Sequence, residues 1–142
     1  MLIYTWYRLK TYDFEVNLRF VVKWIQSHIE DGDKTLNKPV LFSEYGWSDL
    51  IKNFSVADRE RMYRTILDMM YKSAKKSRAG AGALVWQFLV EGMNDHEDDF
   101  WMIPRKGSSI YSLFLEHSCR LSKVIGWTAQ QDRSFREACK KS

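Results

Sequence analysis

Glu44 is the residue in this chain best placed by its neighbours to do chemistry. It closes the apolar run Val40-Leu41-Phe42 and is followed at once by Tyr45-Gly46. A carboxylate directly after such a run sits at the C-terminal end of a buried strand. In parallel α/β sheets that end carries the active site, because the loops leaving it converge on one opening. A solvated strand-end glutamate is the plain alternative. Trp86 holds the equivalent place after a second apolar run, Leu84-Val85. A carboxylate and an indole at one sheet edge suit glycoside chemistry, since the C–H face of a sugar ring stacks on an indole. Core packing is the competing account of Trp86.

Other polar groups carry less. The loop Glu91-Gly92-Met93-Asn94-Asp95-His96-Glu97-Asp98-Asp99 is acidic and contains a histidine, but its spacing matches neither a calcium loop nor a zinc site. It reads as a solvated loop, and no metal or cofactor is expected. His28 and His117 fall on helical stretches away from the strand ends and do not look catalytic. Cys119 and Cys139 are too few for a disulfide framework and lack metal-ligand spacing. Whether they pair is left open by the sequence.

The elements that must hold Glu44 and Trp86 follow from periodicity. Phe14, Leu18, Val21, Val22, Ile25 and Ile29 recur at helical spacing, which predicts a helix over about residues 13–30 that Asp31-Gly32-Asp33 ends. Val40-Leu41-Phe42 predicts a buried strand. Ser55 has the form of a helix cap with Asp58 in the first turn, and Met62, Ile66, Met69, Met70 and Ala74 continue the stripe until Lys75, Lys76, Arg78 and Gly80 stop it. Small residues from Ala79 to Ala83 lead into a second strand, Leu84-Val85-Trp86-Gln87-Phe88. A polar loop over residues 91–107 precedes a last helix, capped by Ser109 and carrying Ile110, Leu113, Phe114 and His117. The pattern decays after Leu121. The predicted order is helix, strand, helix, strand, helix, the alternation of a parallel α/β sheet. Leu2-Ile3-Tyr4 reads as the remnant of an earlier strand.

Composition agrees with a globular chain and narrows the partners. The 142 residues are 45% apolar and 15% aromatic, and the net charge of +4 is modest. The basic cluster over residues 72–78 complements a helix C-terminus, so nucleic acid is not an expected partner. No apolar stretch spans a membrane, and the N-terminal residues lack the form of a signal peptide. Oligomeric state is not legible.

The segment Lys38-Pro39-Val40-Leu41-Phe42-Ser43-Glu44-Tyr45-Gly46 resembles the seventh-strand signature of plant endo-β-1,4-mannanases, retaining enzymes of glycoside hydrolase family 5. Gly80-Ala81-Gly82-Ala83-Leu84-Val85-Trp86-Gln87-Phe88-Leu89-Val90-Glu91-Gly92, with Asp98-Asp99-Phe100 and Ile103-Pro104, is similar to their eighth strand and its loop. The stretch from Phe20 to Glu30 resembles the helix before strand seven. The resemblance implies the last three or so βα units of a (β/α)₈ barrel over residues 1–121, with an unassigned tail at 122–142. It implies a secreted, cell-wall enzyme that hydrolyses mannan-type polysaccharides, with Glu44 as nucleophile and Trp86 as sugar platform. Tyr4 is a candidate partner of Glu44 through the same resemblance, although leucine stands at position 2 where the family has histidine.

The family's acid/base glutamate follows an asparagine, and no Asn-Glu pair occurs in this sequence. The chain by itself is therefore expected to be inactive. About three of eight units would leave a sheet edge and helix stripes uncovered, so the isolated chain is also expected to be unstable or aggregation-prone. Two other functions fit the residues: a non-catalytic carbohydrate-binding remnant of the same fold, and a basic interaction protein that rests on charge alone.

Overall fold

The computed structural model describes residues 13–126 and 133–140. Helix α1 (Phe14–Asp31) starts where the Asp13 carboxylate accepts the N–H groups of Glu15 at 2.8 Å and Val16 at 3.1 Å. Leu18, Val21, Ile25 and Ile29 are buried, and Phe14 and Val22 are half-buried. The α-helix stops at Asp31, with Gly32 as its C-cap, as expected, but the chain does not straighten there. The chain winds on through a π-helical turn, Gly32–Leu36, and leaves at Asn37 in the left-handed region, φ 48°. Asn tolerates that region better than most residues, which makes it the effective terminator.

Strand β1 (Val40–Tyr45) pairs in parallel with β2 (Gly80–Val85). The small residues over 80–83 are part of β2 itself rather than a lead-in, and β2 ends at Val85, before Trp86 and Phe88. Without large side chains there, neighbouring elements approach closely. A Cβ on Gly80 would lie 2.8 Å from both Ile29 Cδ1 and Ser73 Oγ.

Helix α2 (Val56–Lys75) links the strands, and Ser55 Oγ accepts the Asp58 N–H at 3.0 Å as its sequence suggests. Its buried face holds Met62, Tyr63, Ile66, Leu67, Met70 and Ser73, so the stripe runs through Tyr63 and Leu67 as well as the expected methionines. Helix α3 (Ser109–Val124) is capped by Ser108, one residue before the expected Ser109, and continues a turn past Leu121. Short helix α4 (Arg133–Lys140) lies in the stretch left unassigned by sequence, and a Cys119–Cys139 disulfide fastens it to α3. The Leu2-Ile3-Tyr4 segment lies outside the described residues.

The core joins α1, β1, α2 and α3. Phe42 meets Trp24 edge-on at 5.7 Å and Tyr45 meets Tyr63 at 5.3 Å, which puts helices on the side of β1 that carries both residues. Elsewhere on the sheet Leu41 is 48% and Leu84 54% exposed. The mixed helix and strand architecture with a small parallel sheet is as expected. Among the described residues, no helix is long and apolar enough to cross a membrane.

The disulfide closes a loop between cysteines 20 residues apart. Closing a loop of this size stabilises by about 3 kcal/mol through the unfolded state. An eight-residue helix is too short to persist alone. Reduction should therefore lower the denaturant midpoint and release α4, read as faster amide exchange over residues 133–140 with α1 and α2 still protected.

His117 on α3 supplies a second test. Burial, then the nearby Arg120 guanidinium, holds its imidazole down from 6.5 to about 4. Between those values the unfolded chain binds a proton that the folded chain refuses, so this contribution is fully present above pH 6.5 and is lost as pH falls toward 4. Thermal midpoints should drop over that window, and less steeply in His117→Gln.

Candidate functional site

Register brings the two sequence-predicted residues to one edge. Tyr45 is paired with Val85, so Glu44 comes one residue before that pair on β1 and Trp86 one residue after it on β2. The Trp86 N–H donates to the Tyr45 carbonyl at 2.8 Å, which extends the pairing past the end of β2.

Glu44 has φ 58°, in the left-handed region, within a register irregularity between Phe42 and Tyr45. In a regular strand residues 42 and 45 would point to opposite faces. The irregularity lets both enter the core, at 0% and 1% exposed, and leaves Glu44 half-buried between two anchored rings. An L-residue in this region is strained by roughly 1–2 kcal/mol. Such strain is held in place by its surroundings and clusters at functional sites.

Trp86 is 45% exposed, so it is not core filler. Its indole Nε1–H donates to Asp98 Oδ2 at 2.7 Å, and Asp98 Oδ1 accepts the Phe100 N–H at 2.9 Å. One carboxylate thus ties the indole to the loop beyond it. The Trp86–Gln87 peptide bond is cis.

The acidic loop is solvated as expected over residues 91–93 and 95–97, but its end is not. Asp98 and Asp99 are half-buried, and Asp99 accepts from the Ser48 hydroxyl while its carbonyl accepts the Asp49 N–H at 2.8 Å. Gln87 Nε2 donates to the His96 carbonyl at 2.9 Å, and Met102 N–H donates to the Gln87 carbonyl at 3.1 Å. The loop is stitched to the ends of both strands. Sequence reasoning missed Asp98 as the residue that orients Trp86. Its only signal was the position of Asp98-Asp99-Phe100 twelve residues after the indole.

Gly46 locks the same corner. A Cβ there would lie 2.5 Å from the Trp86 carbonyl oxygen and 2.7 Å from Phe100 Cδ1, so only glycine permits this approach. Behind it Tyr63 Oη accepts the Trp47 N–H at 3.2 Å, and burial drives the Tyr45 and Tyr63 phenols well above their usual range, leaving both neutral. His28 and His117 lie on α1 and α3, outside this corner. Among the described residues no group of three or more His, Cys, Asp or Glu is arranged to hold a metal. Tyr4 lies outside the described residues.

The chain is 58% identical over 113 residues to mannan endo-1,4-beta-mannosidase 2 of Arabidopsis thaliana, a match covering 80% of this chain and 26% of that protein. It is 50% identical over 134 residues to mannan endo-1,4-beta-mannosidase 5 of the same plant, covering 94% of this chain and 30% of the relative. The chain is a homologue of the plant mannan endo-1,4-beta-mannosidases. A rice protein of the same description is 43% identical over 75% of the chain. The chain spans between about a quarter and a third of the length of these mannanases. No protein-family model matches it.

The backbone at Glu44 gives a prediction separate from chemistry. Glycine relieves left-handed strain and alanine does not. Glu44→Gly should be more stable than Glu44→Ala by about 1 kcal/mol in denaturant melts. Equal stabilities would mean that residue 44 has ordinary strand geometry in solution.

Proposed function

We propose that the chain carries the nucleophile and the sugar platform of a retaining endo-β-1,4-mannanase, Glu44 being the nucleophile and Trp86 the platform. The observation that carries this reading is the strand end they share: half-buried Glu44, with its left-handed backbone, comes one residue before the Tyr45–Val85 pair, and the exposed Trp86 indole that Asp98 holds comes one residue after it. Glu44 attacks the anomeric carbon of a mannosyl unit, the aglycone oxygen departs, and a covalent glycosyl ester forms. Water then cleaves the ester with net retention. A second carboxylic acid about 5–5.5 Å away protonates the leaving oxygen in the first step and activates water in the second.

The substrate class, mannan-type polysaccharide, is proposed from the homology. In this reading the β1–β2 sheet belongs to a (β/α)₈ barrel, about its last three βα units. The described residues of the 1–121 stretch, from 13 onward, belong to the barrel part in this reading, and α4 beyond it is pinned to α3 by the Cys119–Cys139 disulfide. Exposed Leu41 and Leu84 support this, since packing inside a closed barrel would cover such side chains. The acid/base is not supplied by an Asn-Glu pair of this sequence, so the chain alone hydrolyses mannan poorly or not at all. A disulfide fits an oxidising, extracellular setting.

The test bypasses the missing acid. In 2-deoxy-2-fluoromannosyl fluoride, fluoride leaves without protonation, and the fluorine at C2 slows release of the sugar. Incubation should add one fluoromannosyl group to the peptide containing Glu44, read by mass spectrometry, and Glu44→Gln should abolish it. Label on another carboxylate would remove Glu44 from its role. Binding of mannotriose without any label would leave the non-catalytic carbohydrate-binding reading. Trp86→Ala should weaken mannotriose binding roughly tenfold, the equivalent of losing about 1.4 kcal/mol of stacking.

A further inference from the structure

Toward the opposite end of the sheet from Glu44, α1, the end of α2 and the turn after it border a cavity of about 180 Å³ lined by Gln26, Ile29, Met69, Lys72, Ser73, Lys76 and Arg78. We propose that this cavity binds a sugar acid, a hexuronate residue of an acidic glycan, at a site separate from the Glu44 edge.

Charge sets the class of ligand. Three cationic side chains line the cavity, and of these only Arg78 has an ion-pair partner among the described residues, Asp33 at 2.7 Å. Cations at a helix C-terminus ordinarily answer the helix dipole, but that dipole is worth only about half an elementary charge. Subtracting it and Asp33 from three cations leaves an excess of roughly 1.5 positive charges, with Lys72 and Lys76 uncommitted. An anion neutralises this excess.

Shape and lining distinguish a sugar acid from an inorganic oxyanion. A cavity of about 150 Å³ holds a benzene ring, so one of 180 Å³ has room for a six-membered sugar ring. Ile29 and Met69 supply apolar wall for the C–H face of such a ring, surface that phosphate or sulfate would not use. Gln26 offers an amide for ring hydroxyls. Ser73 is 3% exposed, and its hydroxyl has no hydrogen-bond partner among the described residues. A buried hydroxyl left without a partner is unfavourable, and a small movement toward the cavity would let it meet a sugar oxygen.

The whole 142-residue chain, with isotope-labelled methyl groups, would be titrated with digalacturonate at low salt. The Met69 and Ile29 methyl resonances should shift saturably, while neutral digalactose or inorganic phosphate at the same concentration leaves them in place. Lys72 and Lys76 are exposed, so Lys72→Gln with Lys76→Gln keeps the fold and should lower affinity at least tenfold. Ser73→Ala removes an unpartnered group without harm to folding and should weaken binding severalfold. The proposal is overturned if phosphate produces the same shifts, if digalacturonate shifts other methyls only, or if neither set of substitutions changes affinity. Its failure leaves the Glu44 labelling result untouched, because the two sites share no residue.

Discussion

The parallel pairing of β1 with β2 is the constraint on which the site depends. One further hydrogen bond, from the Trp86 N–H to the Tyr45 carbonyl, carries that pairing beyond the last residue of β2. It fixes the indole relative to a carboxylate more than 40 residues away in sequence. Gly46 makes the approach possible, because any side chain there would strike the Trp86 carbonyl and the Phe100 ring. The Asp98 carboxylate then reaches both the indole and the backbone of Phe100, so the loop and the strand ends form one hydrogen-bonded unit.

This corner is built on rigid support. Phe42 and Tyr45 are sunk into the core on either side of Glu44, against Trp24 of α1 and Tyr63 of α2. The free energy of burying two aromatic rings exceeds the strain of one left-handed residue between them. The fold can therefore keep Glu44 in a conformation that glycine would adopt more easily.

The sheet divides the chain into two chemically different ends. At the C-terminal end of the strands lie a carboxylate, an indole and an acidic loop. At the other end lie the cations that close α2 and the start of β2. The two proposed ligands, one neutral and ring-stacking and the other anionic, follow this division.

Helices α1 to α3, both strands and their order were legible in the sequence, because apolar periodicity and caps such as Ser55 act over a few residues. So was the edge position of Glu44 and Trp86, since a parallel arrangement brings strand ends together whatever the rest of the fold does. Local signals failed where tertiary contacts decide. Nothing near Gly32 announces the π-helical continuation, and the mixed composition of residues 122–142 concealed a helix that is held to α3 by a disulfide. The left-handed backbone at Glu44 follows from two rings entering one core, and the role of Asp98 from a loop that turns back on its own strand. The sequence by itself determined that Glu44 and Trp86 fall at strand ends and which helices and strands flank them, for those depend on neighbours along the chain. Only the tertiary structure decided how the backbone at Glu44 is strained and how Trp86 is oriented and tied to its loop, because those forces come from residues distant in sequence.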